Sequence, residues 1–385
     1  GSMWIGTFGA GLFRLDTDSG AIAPVDLGRS GAGAQHIDQG ALLVDRQGGL
    51  VMGTFGAGLL RRPPSWLDIR SYRAGDAGAG LRGEDIYAVL ADGAGLLVGS
   101  FGGGVQRIDV ARGTVSWLDP PSASDTRLDG VVAMQRALDG NLWVGTSGGL
   151  YRRRVDGGVQ DFPVPSGSPG AANPGYVYAL LEDRQGRLWV GSGGAGLYRY
   201  RPGRDDFLVY RPDVDDPRSL SDDFVSALLE DRRGRLWVGT RSGGINICTV
   251  AGEVLQCQRL VPGAHPHAPS HRPAAVLLEA PDGAIWVGTG GGGLNRIDFH
   301  PDGRIARVRV WTRADGLVDD NVMALAYAPD RALWISTRVG LSRLDPAGGF
   351  DNYTVADGLP TAVFNPKALA WLDGRLYLGG THGVI

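Results

Sequence analysis

Nine times along the chain a Gly-Thr-like pair is followed by a residue that varies: Phe8, Phe55, Phe101, Ser147, Gly193, Arg241, Gly290, Arg338 and His382. Three phenylalanines fall on successive positions and the basic side chains fall on later ones. Side chains of these types could stack on a sugar or aromatic ring and pair with an anion. A second set, Asp85, Tyr176, Asp223, Arg272, Asn321 and Asn365, precedes runs of small apolar residues. Its hydroxyl, amide and carboxylate groups are what a polyhydroxylated ligand needs. Loop packing, turn capping and solvated charge are the competing account of both sets.

Other constellations promise less chemistry. His265, His267 and His271 share one Pro-rich stretch, but no carboxylate or Cys stands beside them to complete a metal site. Asp213, Asp215 and Asp216 lack the glycine and bidentate Glu of a calcium loop and read as turn residues. The sequence has no nucleophile elbow, phosphate loop or zinc-protease motif. No catalytic residue, metal or cofactor is therefore expected. The two cysteines say more. A two-residue turn at Gly252-Glu253 would pair Ala251 with Val254, and so Cys248 with Cys257. Non-hydrogen-bonded partners have Cα atoms ~4.5 Å apart, at the short end of disulfide geometry. The register thus favours a cross-strand disulfide, which would suit an oxidising compartment. Two reduced thiols packed side by side is the alternative.

The elements that carry these residues are set by repetition. An acidic residue, a polar turn with Gly, then Leu-Trp-Val-Gly-Thr and Gly-Leu-x-Arg recur, as in 182–191 and 230–239. The Trp position is held by Trp4, Val51, Leu97, Trp143, Trp189, Trp237, Trp286, Trp334 and Tyr377, at gaps of 43 to 49 residues. Each unit parses into four short strands, for example Val177–Leu181, Leu188–Gly191, Leu197–Tyr200 and Phe207–Tyr210. Four antiparallel strands per 40–50 residues is the arithmetic of a β-propeller blade. The 63 glycines fit a fold with very many tight turns, and 43% hydrophobic residues suffice for a core.

A ring explains two further patterns. Small residues (Ala41, Ala88, Ala133, Ala179, Ala227, Ala324) recur in the first strand, where space near the axis is least. The Trp belongs to the second strand, where diverging blades leave volume to fill. It is read as inter-blade packing, not as a ligand platform. Residues 4–385 are expected to form a single propeller domain, with Gly1-Ser2-Met3 as a cloning remnant and the chain an excised segment. Strand arithmetic favours eight blades, closed by a seam of N- and C-terminal strands. Seven blades with leftover strands of a neighbouring propeller is the alternative. The net charge of −3, with basic residues spread along the chain, provides no basic stripe for nucleic acid. No apolar run reaches the ~18 residues of a membrane span.

The repeat phrases resemble the two-component regulator propeller repeat, above all 210–213 through Ser219-Leu220-Ser221 to Val225 and the Trp237 motif. Asp315-Gly316-Leu317 and Asp357-Gly358-Leu359-Pro360 fit the same family. Val51 and Leu97 depart from it where Trp is expected. The resemblance implies a periplasmic sensor region of a hybrid two-component or diguanylate cyclase receptor. It implies a small-molecule or oligosaccharide ligand, and downstream immunoglobulin-like and membrane-anchored signalling domains as partners. A non-catalytic sensor is the expected function. The alternatives are a propeller lyase or glycosidase, to which His271, Arg272 and Asp223 could contribute only part of the chemistry, and an interaction or homodimerisation scaffold.

Overall fold

The computed structural model describes residues 2–25, 36–44, 49–55, 58–62, 71–74, 80–118, 130–162 and 173–385. It is all-β, and its sheets are antiparallel meanders of three or four short strands. The repeat around Trp189 is typical, with strands Asn173–Glu182, Leu188–Gly193, Leu197–Arg201 and Asp206–Tyr210 pairing in chain order. Two compact units are formed where the sequence had suggested one domain. One comprises Gly1–Ser71, Tyr353–Ala362 and Ile385, and the other Tyr72–Asn352 and Val363–Val384.

The larger unit is a propeller. Among the described residues it has seven sheets, whose first strands are Ile86–Asp92, Val131–Arg136, Asn173–Glu182, Val225–Glu230, Ala274–Glu279, Val322–Tyr327 and Phe364–Leu372. Each first strand packs on the next, and the seventh packs on the first, so the ring is shut. Its last sheet, Phe364–Leu372, Arg375–Gly380 and Gly383–Val384, takes its outer partner from the start of the unit. Tyr72 N donates to Val384 O at 2.8 Å and Val384 N to Tyr72 O at 3.0 Å. Nine sheets are described, of which seven form this ring. The final strand is paired by Tyr72.

The repeat phrase is explained by what each residue does in this ring. Trp189 and Trp237 are 0% exposed. Their indole N–H groups donate to the carboxylates of Asp183 (2.7 Å) and Asp231 (2.8 Å). The same carboxylates accept backbone N–H bonds from the following turn, at Arg187 and Arg235. The Glu that ends the first strand reaches the preceding blade instead. Glu182 accepts from Leu138 N, Glu230 from Arg184 N and Glu279 from Arg232 N. The glycine after Trp-Val allows blades to touch. A Cβ on Gly191 would lie 2.6 Å from Val225 Cγ1, and one on Gly379 2.8 Å from Ile86 Cγ2 across the closure.

The smaller unit contains two three-stranded sheets, Ser2–Thr7, Gly11–Asp16, Ile22–Val25 and Ile37–Val44, Leu50–Thr54, Gly58–Arg62. Leu12, Ile37, Leu50 and Met52 form its core. Among the described residues, no helix is long and apolar enough to cross a membrane.

Candidate functional site

In the propeller, first strands carry a local irregularity at one equivalent point. One residue is left over between two paired ones: Tyr87, Val132, Tyr178, Ser226, Ala275 and Met323 in the first six sheets. In the seventh the excess is larger, between Phe364 and Leu369, and includes Lys367. A bulged residue owes nothing to the ladder, so its side chain is re-aimed. In the first three sheets and the seventh the direction is inward. Tyr87, Val132, Tyr178 and Lys367, with Met134 and Leu228, line an axial cavity of about 160 Å³.

Aromatic rings continue the cavity to the face that carries the loops between second and third strands. Tyr87 packs edge-on to Phe101 (centroids 5.1 Å apart). Tyr178 stacks on Tyr176 at 5.5 Å and contacts Phe224 at 4.8 Å. The Arg241 guanidinium lies over the Phe224 ring, 5.1 Å from its centroid. Burial, then the negative charge of Asp85, pushes the Tyr87 phenol above its ordinary range. Burial does the same for Tyr178. Both remain neutral donors at physiological pH.

The sequence-derived residues divide into several groups. Phe101, Tyr176 and Arg241 come together at the axial mouth. Phe8 and Phe55 belong to the smaller unit, where they are 74% and 70% exposed and Phe8 meets His36 edge-on. The three phenylalanines therefore do not share one unit. Asp85 and Asn365 bind each other at the ring closure. Asn365 Nδ2 donates to Asp85 Oδ1 at 2.7 Å and to Ile86 O at 2.9 Å, and Asn365 is buried. Asp223 is half-buried beside Tyr198, and its backbone carbonyl holds Gly196 N. Arg272 donates to Pro262 O, Asn321 bridges to Gly290, and His382 contacts the Thr381 hydroxyl. Arg338 is exposed.

Cys248 and Cys257 are directly opposite in the register and joined by a disulfide, with Cα atoms 4.0 Å apart. His265 and His267 pack ring to ring at 5.8 Å while His271 lies against Gly291 and Gly292, so the three do not converge. Among the described residues, no group of three or more His, Cys, Asp or Glu could hold a metal ion. The acidic stretch makes turns, with Asp215 N donating to Asp213 and Arg218 N to Asp216.

Sequence reasoning missed Tyr87, Tyr178, Phe224 and Lys367. One signal was countable. Of 38 Lys and Arg residues only Lys367 is lysine, and it sits on the propeller axis.

Solved structures with this fold include the extracellular domain assigned to a hybrid two component system of B. thetaiotaomicron, at 19% identity and a TM-score of 0.69. It aligns over 100% of this chain, which spans only 54% of that domain. Streptogramin B lyase is similar over 82% of this chain and 95% of its own, at 15% identity and a TM-score of 0.59. Virginiamycin B lyase from Staphylococcus aureus, at 14% identity, covers 82% and 97% with the same TM-score. No curated protein matches the sequence. Residues 172–194 and 219–242, in the third and fourth sheets, match the two component regulator propeller family. The chain has the β-propeller fold, and two of its repeats match the two component regulator propeller family.

Proposed function

We propose that the seven-sheet propeller is a ligand-binding domain in the extracytoplasmic, periplasmic sensor region of a signal-transduction receptor, and that it does not catalyse a reaction. The observation that carries this reading is the axial mouth. Phe101 and Tyr87, then Tyr176, Tyr178 and Phe224 with Arg241 over its face, surround a cavity that runs inward between first strands. At about 160 Å³ the cavity is below the roughly 300–1,000 Å³ of a pocket that encloses a drug-sized molecule. The ligand therefore rests mainly on the aromatic mouth and inserts one group. A sugar or planar ring fits such a surface, because stacked rings gain attraction beyond buried area. The mouth carboxylate of Asp85 is already held by Asn365, which supports binding over acid–base chemistry. The extracellular two component system domain, which shares the fold, supports the receptor assignment.

A thermal-shift and calorimetric screen of mono- and oligosaccharides and aromatic acids tests the reading. A true ligand raises the melting temperature, and Tyr176→Ala or Phe224→Ala weakens it about tenfold, the equivalent of roughly 1.4 kcal/mol of stacking. Unchanged affinity in both variants would remove the mouth from consideration. Turnover of a screened compound would favour a propeller lyase. Silence with a concentration-dependent mass would favour a dimerisation scaffold.

A further inference from the structure

Thirty-seven arginines and one lysine is a sharp bias, and the exception occupies a singular place. Among the described residues, four non-glycine residues have positive φ: Asp205, Arg331, Lys367 and Asp373. The other three lie in or beside hairpin turns, whereas Lys367, at φ 60°, is inside the strand Phe364–Leu372. Left-handed backbone within a strand is costly for a side-chain-bearing residue and persists only where the surroundings enforce it. The conformation sends the side chain across the axis. Its ammonium donates to Tyr178 O and, at 2.7 Å, to Ser226 O, the bulged residues of the third and fourth sheets.

An ammonium has three N–H donors, and those two carbonyls take two. The side chain also lines the axial cavity with Tyr87, Tyr178, Val132, Met134 and Leu228. Among the described residues, no carboxylate faces it. Tyr87 and Tyr178 are the other titratable groups on the cavity wall. A cation taken out of water without a counter-charge costs several kcal/mol. An anion entering the cavity would relieve that cost and satisfy the remaining N–H. The wall holds no arginine and a single positive charge. That suits a monoanion of carboxylate size better than a phosphate, which is usually held by several donors or a guanidinium fork.

We infer that Lys367 is the anchor for a carboxylate group carried by the ligand, which inserts into the axial cavity while the rest of the molecule lies on the aromatic mouth. The inference rests on the mouth being the binding face. The occupant is a small organic acid, such as an aromatic acid or a uronic sugar, and its neutral counterpart binds more weakly. Burial already draws the Lys367 pKa down to about 8. A carboxylate at contact distance moves it back up, since an opposite charge favours the protonated form.

The lone lysine makes the test direct. The full chain labelled with [13C]lysine gives one lysine Hε–Cε signal, whose pH titration reports Lys367 alone. Benzoate, 4-hydroxybenzoate and galacturonate are added at constant ionic strength, with benzyl alcohol, phenol and galactose as neutral counterparts. The expected result is an upward shift of the midpoint by about one unit or more with at least one carboxylate, and none with its neutral counterpart. Thermal stabilisation by that carboxylate should also fall at least several-fold in K367Q. A midpoint unmoved by every carboxylate would overturn the inference. So would equal stabilisation by acid and neutral counterpart, which would leave the mouth intact as a binding face. A midpoint shift that survives in Tyr176→Ala and Phe224→Ala with unchanged affinity keeps the anchor and removes the mouth reading instead.

Discussion

Replacing Lys367 by methionine should abolish a pH dependence of stability that runs opposite to the usual alkaline trend. In the folded protein the ammonium is crowded by Tyr178, Ser226 and the apolar cavity wall, and burial lowers its pKa from the ordinary 10.5 to about 8. The unfolded chain then binds more protons than the native one between those two values, so stability rises with pH across that window. Below about pH 8 the penalty is fully present. A difference of 2.5 units corresponds to roughly 3 kcal/mol, of which about 2 kcal/mol is recovered between pH 7 and pH 9.5. The buried Tyr198 phenol and the half-buried ones of Tyr87, Tyr178 and Tyr327 have raised pKa values, so their linkage costs stability only as pH approaches and passes 10. Urea unfolding of wild type and K367M across this range separates the contributions. The wild type should gain on the variant by about 2 kcal/mol, the tyrosine effects cancelling in the difference. Both cysteines are bridged, so no thiol interferes at alkaline pH. A flat difference curve would show that the ammonium is not desolvated, and the reasoning about the axis would fail.

Three further outcomes follow from the scaffold. Asp231→Ala leaves the buried Trp237 indole N–H and the Arg235 side chain without their acceptor, and should cost about 1–3 kcal/mol by urea unfolding. Gly379→Ala drives a Cβ against Ile86 at the ring closure and should cost about 1–3 kcal/mol, whereas Gly203→Ala, with nothing within 4 Å, should be near neutral. Reducing the Cys248–Cys257 bridge releases a loop with a sequence separation of 9, and should lower stability by at most about 3 kcal/mol, read as a lower melting temperature in dithiothreitol.

The frame was legible because one geometric demand is repeated along the chain. Trp fills the gap between diverging blades, Asp binds its indole, Glu ties the preceding turn, and Gly lets the next first strand approach. The disulfide was legible for a similar reason, since a two-residue turn fixes every partner in its hairpin. Blade number was not. The strand that completes the last sheet is a short segment at Tyr72 with no repeat phrase, and counting phrases could not reveal it. The site was half legible. Reading the residue after each Gly-Thr pair placed Phe101 and Arg241 at the mouth, but it could not show that Phe8 and Phe55 lie in another unit. Nor could it show that Asp85 and Asn365 satisfy each other. The deepest residues were missed because alternation assigns faces by twos, and a bulge shifts the count by one at the point nearest the axis.

That shift also explains why function can reside there without harm to the fold. Ala88, Ala179, Ala227 and Ala324 sit beside the bulges and are buried, Ala88 and Ala179 also reaching the cavity wall. The bulged residue one step earlier has no cross-strand partner; Tyr87, Val132, Tyr178 and Lys367 turn their side chains to the cavity, while the Ser226 hydroxyl donates to Ala274 O of the next sheet. Tyr, Val, Tyr, Ser, Ala and Met occupy it in turn, with Lys in the wider irregularity of the seventh sheet. No packing rule would produce that assortment, and no ladder constrains it. Tyr87, Val132, Tyr178 and Lys367 converge on one cavity, so under the proposed function changing a single one would re-specify the ligand while Trp, Asp, Glu and Gly hold the ring. Lys367 is the extreme case. It carries a charge that burial opposes, in a backbone conformation that strands avoid, and a counter-charge on the ligand is what would make both costs useful.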